Sequence, residues 1–130
     1  MAKQNANPFM ASCPSQDILA LIGSKWSMLL LCILGDGPVR SGELGRRAGG
    51  ISQKMLTQTL RRLERDGIVA RTVYPVVPPH VEYALTPLGT TLIAALRLLC
   101  QWAQENLGAV EAARHIHEQQ TRSEHGRLGR

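Results

Sequence analysis

Lys54, Thr57, Gln58, Arg61 and Arg65 recur at helical spacing between Ile51 and Gly67, and the set contains no acid. Leu56, Leu60 and Leu63 fall on another side of the same predicted helix. A helix with one apolar face and one face of Lys, Thr, Gln and Arg suits the major groove of DNA, where Gln pairs with adenine and Arg with guanine through two hydrogen bonds each. A solvated helix face explains an isolated charge run equally well, so the surroundings must decide. Gln58 and Arg61 are the first choices for base edges, and Lys54 for a base or a phosphate. Ser52 is the expected cap, and the backbone N–H groups beside it suit a phosphate. Arg40, Arg46 and Arg71 divide between phosphate contacts and solvated charge. Arg62 and Arg65 have Glu64 and Asp66 near enough to pair with.

Other chemistry finds little support. No phosphate loop, nucleophile elbow, metal-ligand spacing or pair of catalytic carboxylates is present, so no catalytic residue, metal or cofactor is expected. His115 and His117 do not share a helix face, and His80 and His125 are isolated. The three cysteines, Cys13, Cys32 and Cys100, are an odd and widely separated set that suggests neither a disulfide framework nor a metal site. Cys32 sits in an apolar run and reads as inert core. Cys13 lies at a predicted helix N-terminus, where the helix dipole favours thiolate.

The elements that must position the basic helix follow from glycines, prolines and hydrophobic period. Residues 1–12 are polar or small and read as a flexible tail. Cys13-Pro14 opens a first helix with Ile18, Leu19, Leu21 and Ile22 as its apolar face, ended by Gly23. Ser24 caps a second, from Lys25 to about Leu34, apolar nearly all round and therefore expected to be central and buried. After the turn Gly35-Asp36-Gly37-Pro38, Val39-Arg40 is a minimal strand. A third helix starts at Ser41 as its cap and stops at Gly49-Gly50, and the basic helix runs from Ser52 to Gly67. Two alternating runs, Ile68–Tyr74 and Val81–Leu85, flank the proline-rich Pro75–His80 and predict a β-hairpin with a stiff loop, whose three prolines leave less entropy to lose on docking.

Thr86-Pro87 starts a long helix with Leu88, Leu92, Leu96, Leu99 and Ala103 in series and Trp102 beside them. One small domain cannot cover so apolar a helix, so Leu88, Leu92, Leu96, Leu99 and Trp102 are expected to form a dimer interface. Gly108 is expected to break it, Ala109 to about Gln120 to form another helix, and Thr121–Arg130 to be a loose tail. The fold class is mainly α with a small β-hairpin wing: a winged helix-turn-helix dimerising through N- and C-terminal helices.

At 130 residues the chain supports one domain with helical extensions. Aromatics make up 4%, so the core must be aliphatic, and the net charge is +5. Residues 37–83 hold eight basic and four acidic side chains, +4 of that total, concentrating the excess on the helix pair and the hairpin. Such a patch fits a polyanion, with salt-dependent affinity. No apolar run reaches the roughly 18 residues of a membrane span. No membrane contact is expected, and the cytoplasm is the expected location.

The ordered series Cys13-Pro14, Ile22-Gly23-Ser24-Lys25-Trp26, Gly42-Glu43-Leu44, Ile51-Ser52-Gln53-Lys54-Met55-Leu56-Thr57, Leu60–Gly67, Arg71–Pro75, Pro78–Tyr83 and Leu85-Thr86-Pro87-Leu88-Gly89 resembles the HxlR family of bacterial transcriptional regulators. The resemblance covers about residues 13–106, and leaves 1–12 and the helix and tail at 107–130 outside it. It implies a homodimer on a (pseudo)palindromic DNA operator. It places Ser52, Gln53, Lys54, Thr57, Gln58 and Arg61 on a recognition helix spanning 52–66 and the wing at 75–80, ending at His80. Several family members sense oxidants or electrophiles through the cysteine matching Cys13, and Cys100 of a second subunit is then the candidate resolving thiol. A small-molecule effector in a cleft near Trp26 or Trp102 stays open, as does the rival reading of a protein-interaction winged helix.

Overall fold

The computed structural model describes residues 14–128, with side chains through Gly126. Helix α1 (Pro14–Ile22) opens on its proline, and α2 (Lys25–Leu34) follows after Gly23. Ser24 caps α2 by accepting a hydrogen bond from the Ser27 N–H. Strand β1 (Val39–Arg40) precedes α3 (Ser41–Ala48) and α4 (Gln53–Arg65). The hairpin is β2 (Val69–Tyr74) and β3 (His80–Leu85), and α5 (Pro87–Leu128) closes the chain. The three strands form one antiparallel sheet in the order β1-β3-β2. The expected tail at residues 1–12 and Cys13 lie outside the described residues.

Two compact units are distinguished, one ending at Leu96 and one beginning at Arg97. The first has a core of Leu30, Leu31 and Leu34 from α2, Leu44 from α3, Leu56, Leu60 and Leu63 from α4, Val69 and Tyr83 from the sheet, and Ile93 and Leu96 from α5. Each fully buried leucine contributes on the order of 1.5–3 kcal/mol relative to an exposed one. Helix α2 supplies three of these leucines but is not buried all round. Leu29 is exposed and Cys32 only half-buried, so Cys32 is not sealed core. Helix α1 has no buried residue, and Leu19 on it is half exposed.

Helix α3 departs from the expected cap. Arg40 occupies the cap position in extended conformation without a side-chain hydrogen bond, and Ser41 is the first helical residue. The reason is the sheet: Arg40 is held extended opposite Glu82 of β3, so the helix begins one residue after the strand. The α3–α4 turn has the expected glycine geometry, with Gly49 at φ 58° and Gly50 at φ 89°. Helix α4 is capped by the Ser52 hydroxyl, which accepts from the Met55 N–H at 3.1 Å. It ends in a Schellman arrangement, with Gly67 N–H donating to the Glu64 carbonyl at 3.0 Å and Ile68 N–H to Leu63 at 2.9 Å. Gly67, at φ 77°, supplies the left-handed residue this closure requires.

That end of α4 is joined directly to the start of α5. The Thr86 hydroxyl donates toward the carbonyls of Gly67 and Ile68 and accepts from the Gly89 N–H at 3.0 Å, capping α5. The Thr86 N–H donates to the Ile68 carbonyl as well. Gly89 is buried so close to Ile68 that a Cβ there would collide with the Ile68 carbonyl.

In the second unit the helix continues through Gly108 to Leu128, with neither the expected break nor the loose tail. Glycine inside a helix costs roughly 0.5–1 kcal/mol relative to alanine, too little to stop one flanked by good helix formers such as Ala103, Ala109, Ala112 and Ala113. Side-chain bonds such as Gln101 to Glu105 at 2.9 Å and Gln119 with His115 at 3.2 Å run along it.

Gly89→Ala tests the α4–α5 junction. Alanine's better helix propensity is worth about 1 kcal/mol, whereas the collision is with unyielding backbone, so a net loss of about 1–3 kcal/mol is expected in chemical denaturation. Unchanged stability would show that the junction is looser than described.

Candidate nucleic-acid interface

Helix α4 is divided lengthwise. Leu56, Thr59, Leu60 and Leu63 are buried, while Ser52 at its cap and Gln53, Lys54, Gln58 and Arg61 are exposed and Thr57 is half-buried. The exposed side therefore carries the expected polar set on a helix fixed by its other side. Gln53 Nε2 donates to the Thr57 hydroxyl at 3.3 Å, linking the first two turns of that face. Arg65 pairs with Asp66 at 3.2 Å, one of the pairings expected from the sequence. Arg46 forks onto Glu43 Oε1 at 2.8 and 3.1 Å, so its charge is already partly matched.

Between α4 and the sheet lies a cleft of about 350 Å³. Its floor is Leu56, Leu60 and Val81, and its polar rim includes Ser41, Gln53, Thr57, Arg61, Glu64, Arg71 and Tyr83. Strand register explains which hairpin residues reach it. Val69, Arg71 and Val73 pair with Leu85, Tyr83 and Val81, and side chains directly opposite each other in an antiparallel pair share a face. Val69 and Tyr83 on that face belong to the core, so it is the face turned to α4. Arg71 is the charged residue in an otherwise apolar alternation, standing where the sheet emerges from under the helix. Burial pushes the Tyr83 phenol above its usual pKa, and the Arg71 guanidinium, through its charge and a side-chain hydrogen bond, pulls it partly back.

Arg40 and His80 lie elsewhere. Arg40 pairs with Glu82 and His80 with Tyr74, on the opposite face of the sheet from Arg71. There the His80 ring stacks on Tyr74 with centroids 4.7 Å apart, and the Tyr74 hydroxyl donates to Glu82 at 3.3 Å. The stem of the wing is thus stiffened, while Val77 at its tip is 98% exposed. The structure brings the α4 residues and Arg71 together and leaves Arg40 and His80 on the sheet's outer face.

Sequence reasoning did not single out Tyr83 or the cleft position of Ser41. The alternation Val69-Arg71-Val73 against Val81-Tyr83-Leu85 was the available signal, and reading it needed the hairpin register. Of the five expected interface residues on the last helix, Leu96 is 4% exposed in the chain's own core. Leu92 is half-buried, while Leu88, Leu99 and Trp102 are each more than half exposed. Cys100 is half-buried. Among the described residues, no single helix is long and apolar enough to cross a membrane.

Residues 21–111 match the model of the HxlR-like helix-turn-helix family. The uncharacterized HTH-type transcriptional regulator YtfH of Escherichia coli K12 is 45% identical over 111 residues, 85% of this chain and 88% of its own length. The solved structure of ytfH from Salmonella typhimurium aligns with a TM-score of 0.79 at 47% identity, covering 84% of this chain and 97% of that one. The redox regulator HypR in its reduced form aligns with a TM-score of 0.71 at 42% identity, covering 76% and 98%. With the divided α4, the hairpin wing and these matches in hand, the chain belongs to the HxlR-like helix-turn-helix family of transcriptional regulators, which are not enzymes.

Proposed function

We propose that the chain binds a (pseudo)palindromic DNA operator as a homodimer, each α4 entering a major groove and each wing lying alongside. The observation that carries this reading is the acid-free exposed set Lys54, Gln58 and Arg61 on a helix whose opposite side is locked into the core. Ser52, Gln53 and Thr57 flank it at the N-terminal end, where recognition helices meet base edges. The protein-interaction alternative has no comparable feature, since Lys54, Gln58 and Arg61 offer no apolar surface for a protein partner to bury.

Dimerisation is supported by exposed apolar side chains. Leu88, Leu99 and Trp102 on α5 and Leu19 on α1 each leave half or more of their surface uncovered. One α4 reads only a few base pairs, so two copies with fixed spacing supply useful specificity.

A thiol switch is the favoured form of regulation. HypR, 42% identical in its reduced form, is described as a redox regulator and has also been solved in an oxidised form. In this chain the corresponding proposal is that oxidation or alkylation of Cys13 alters operator binding, with Cys100 of the second subunit as resolving thiol.

Three measurements test the reading. Gln58→Ala is expected to lose about 1–3 kcal/mol on a duplex selected by the protein from random sequence, with preference relaxed at one position. Uniform weakening on every duplex would assign Gln58 to the backbone instead. Trp102→Glu is expected to shift sedimentation toward monomer, and an unchanged dimer would move the interface off this part of α5. Alkylating Cys13 in a variant lacking the other two cysteines is expected to change operator affinity, and unaltered affinity would end the switch proposal.

A further inference from the structure

In the cleft between α4 and the hairpin, Arg71 and Tyr83 are cross-strand partners with side chains on the same face. Tyr83 is 9% exposed and belongs to the core, whereas Arg71 is exposed. Both line the cleft, where the Arg71 guanidinium acts on the buried phenol through its charge and hydrogen-bonding capacity, and the charges of Glu64 and Arg61 act on it too. One end of the pair is therefore fixed by packing and the other faces solvent at the cleft mouth. A free arginine loses roughly 2 kcal/mol of rotamer entropy when immobilised on a ligand, and a tethered one has lost part of it beforehand.

The charges at the cleft favour an anion. Arg61 reaches it from α4 and Arg71 from β2, with the Glu64 carboxylate the single opposing charge on its lining. Arg61 stands in the third turn of α4 and lines the side toward the sheet, whereas base edges are met by the N-terminal residues of such helices. The anion that reaches the flank of a helix lying in a major groove is the DNA backbone.

We propose that Tyr83 is a positioning residue for DNA binding: it anchors Arg71 so that Arg71 and Arg61 clamp one backbone phosphate at the mouth of this cleft. The proposal rests on the DNA-binding reading above and moves Arg61 from base reader to phosphate contact. Glu64, the acid on the same cleft lining, offsets part of the charge of the two cations when no DNA is bound. The phenol acts through Arg71 and does not touch the nucleic acid.

The test is a salt-titrated fluorescence anisotropy series on the full chain, with one duplex selected from random sequence and one scrambled duplex. Tyr83→Phe keeps the ring in the core and removes only the oxygen. It is expected to weaken binding roughly five- to tenfold on both duplexes, as loss of a charge-assisted hydrogen bond would. Arg71→Ala is expected to weaken binding at least as much and to make the salt dependence shallower by about one unit of slope. The double variant is expected to bind no worse than Arg71→Ala alone, because the oxygen works only through the guanidinium. Additive losses, a loss confined to the selected duplex, or unchanged affinity in Tyr83→Phe would each overturn the clamp. Wild-type protein that binds neither duplex at low salt would instead sink the DNA-binding reading itself.

Discussion

Two backbone carbonyls, those of Gly67 and Ile68, hold the structure's parts in register. The N–H groups of the same two residues close the C-terminus of α4 on the Glu64 and Leu63 carbonyls, and the Thr86 hydroxyl that donates toward the two carbonyls also caps α5. Helix ends normally leave carbonyls and N–H groups without partners, and each left buried and unpaired costs about 1–3 kcal/mol. Here the carbonyls just past the end of one helix and an N–H in the first turn of the next are satisfied through a single threonine. The missing side chain of Gly89 lets the two backbones meet. The orientation of the exposed α4 face relative to the first turns of α5 is consequently set by hydrogen bonds between main chains and one hydroxyl, with no long side chains to absorb play.

Around that junction the energetics separate cleanly. Leu30, Leu31, Leu34, Leu44, Leu60 and Leu63 are essentially inaccessible to water and supply the cohesion. The polar side chains of α4 and the wing tip add almost nothing to it. Surface ion pairs such as Arg46–Glu43 and Arg65–Asp66 belong to the second group, being exposed and worth at most about 1 kcal/mol each. Their part is to decide which cations are left for a polyanion.

Most of the first unit was legible from local signals. The Ser24 and Ser52 caps, the Gly49-Gly50 and Gly67 stops and the Thr86-Pro87 start each have a backbone reason that needs no tertiary knowledge. What escaped was non-local. Ser41 looked like a cap because nothing in the sequence says that Arg40 is held extended by Glu82. Gly108 looked like a break because a glycine's modest cost is outweighed by alanines spread over the neighbouring turns. Nothing local marks Tyr83, which only the strand register sets opposite Arg71. Leu96 read as one more rung of an outward stripe, and only the packed core shows that it faces inward. The family resemblance, by contrast, was carried by short ordered pieces and stands on the comparisons with known proteins.

The lengthwise division of α4 has a consequence for how such proteins diverge. Because Leu56, Thr59, Leu60 and Leu63 fix the helix, the residues on its other side are free to drift without endangering the fold. Duplicated copies can then acquire different targets by exchanging a few exposed side chains, keeping the same scaffold and the same folding thermodynamics. The cleft residues Arg71 and Tyr83 stand outside that freedom, since one of them is also part of the core. A lineage built on this architecture would therefore change the exposed side chains of α4 much faster than the residues of the cleft.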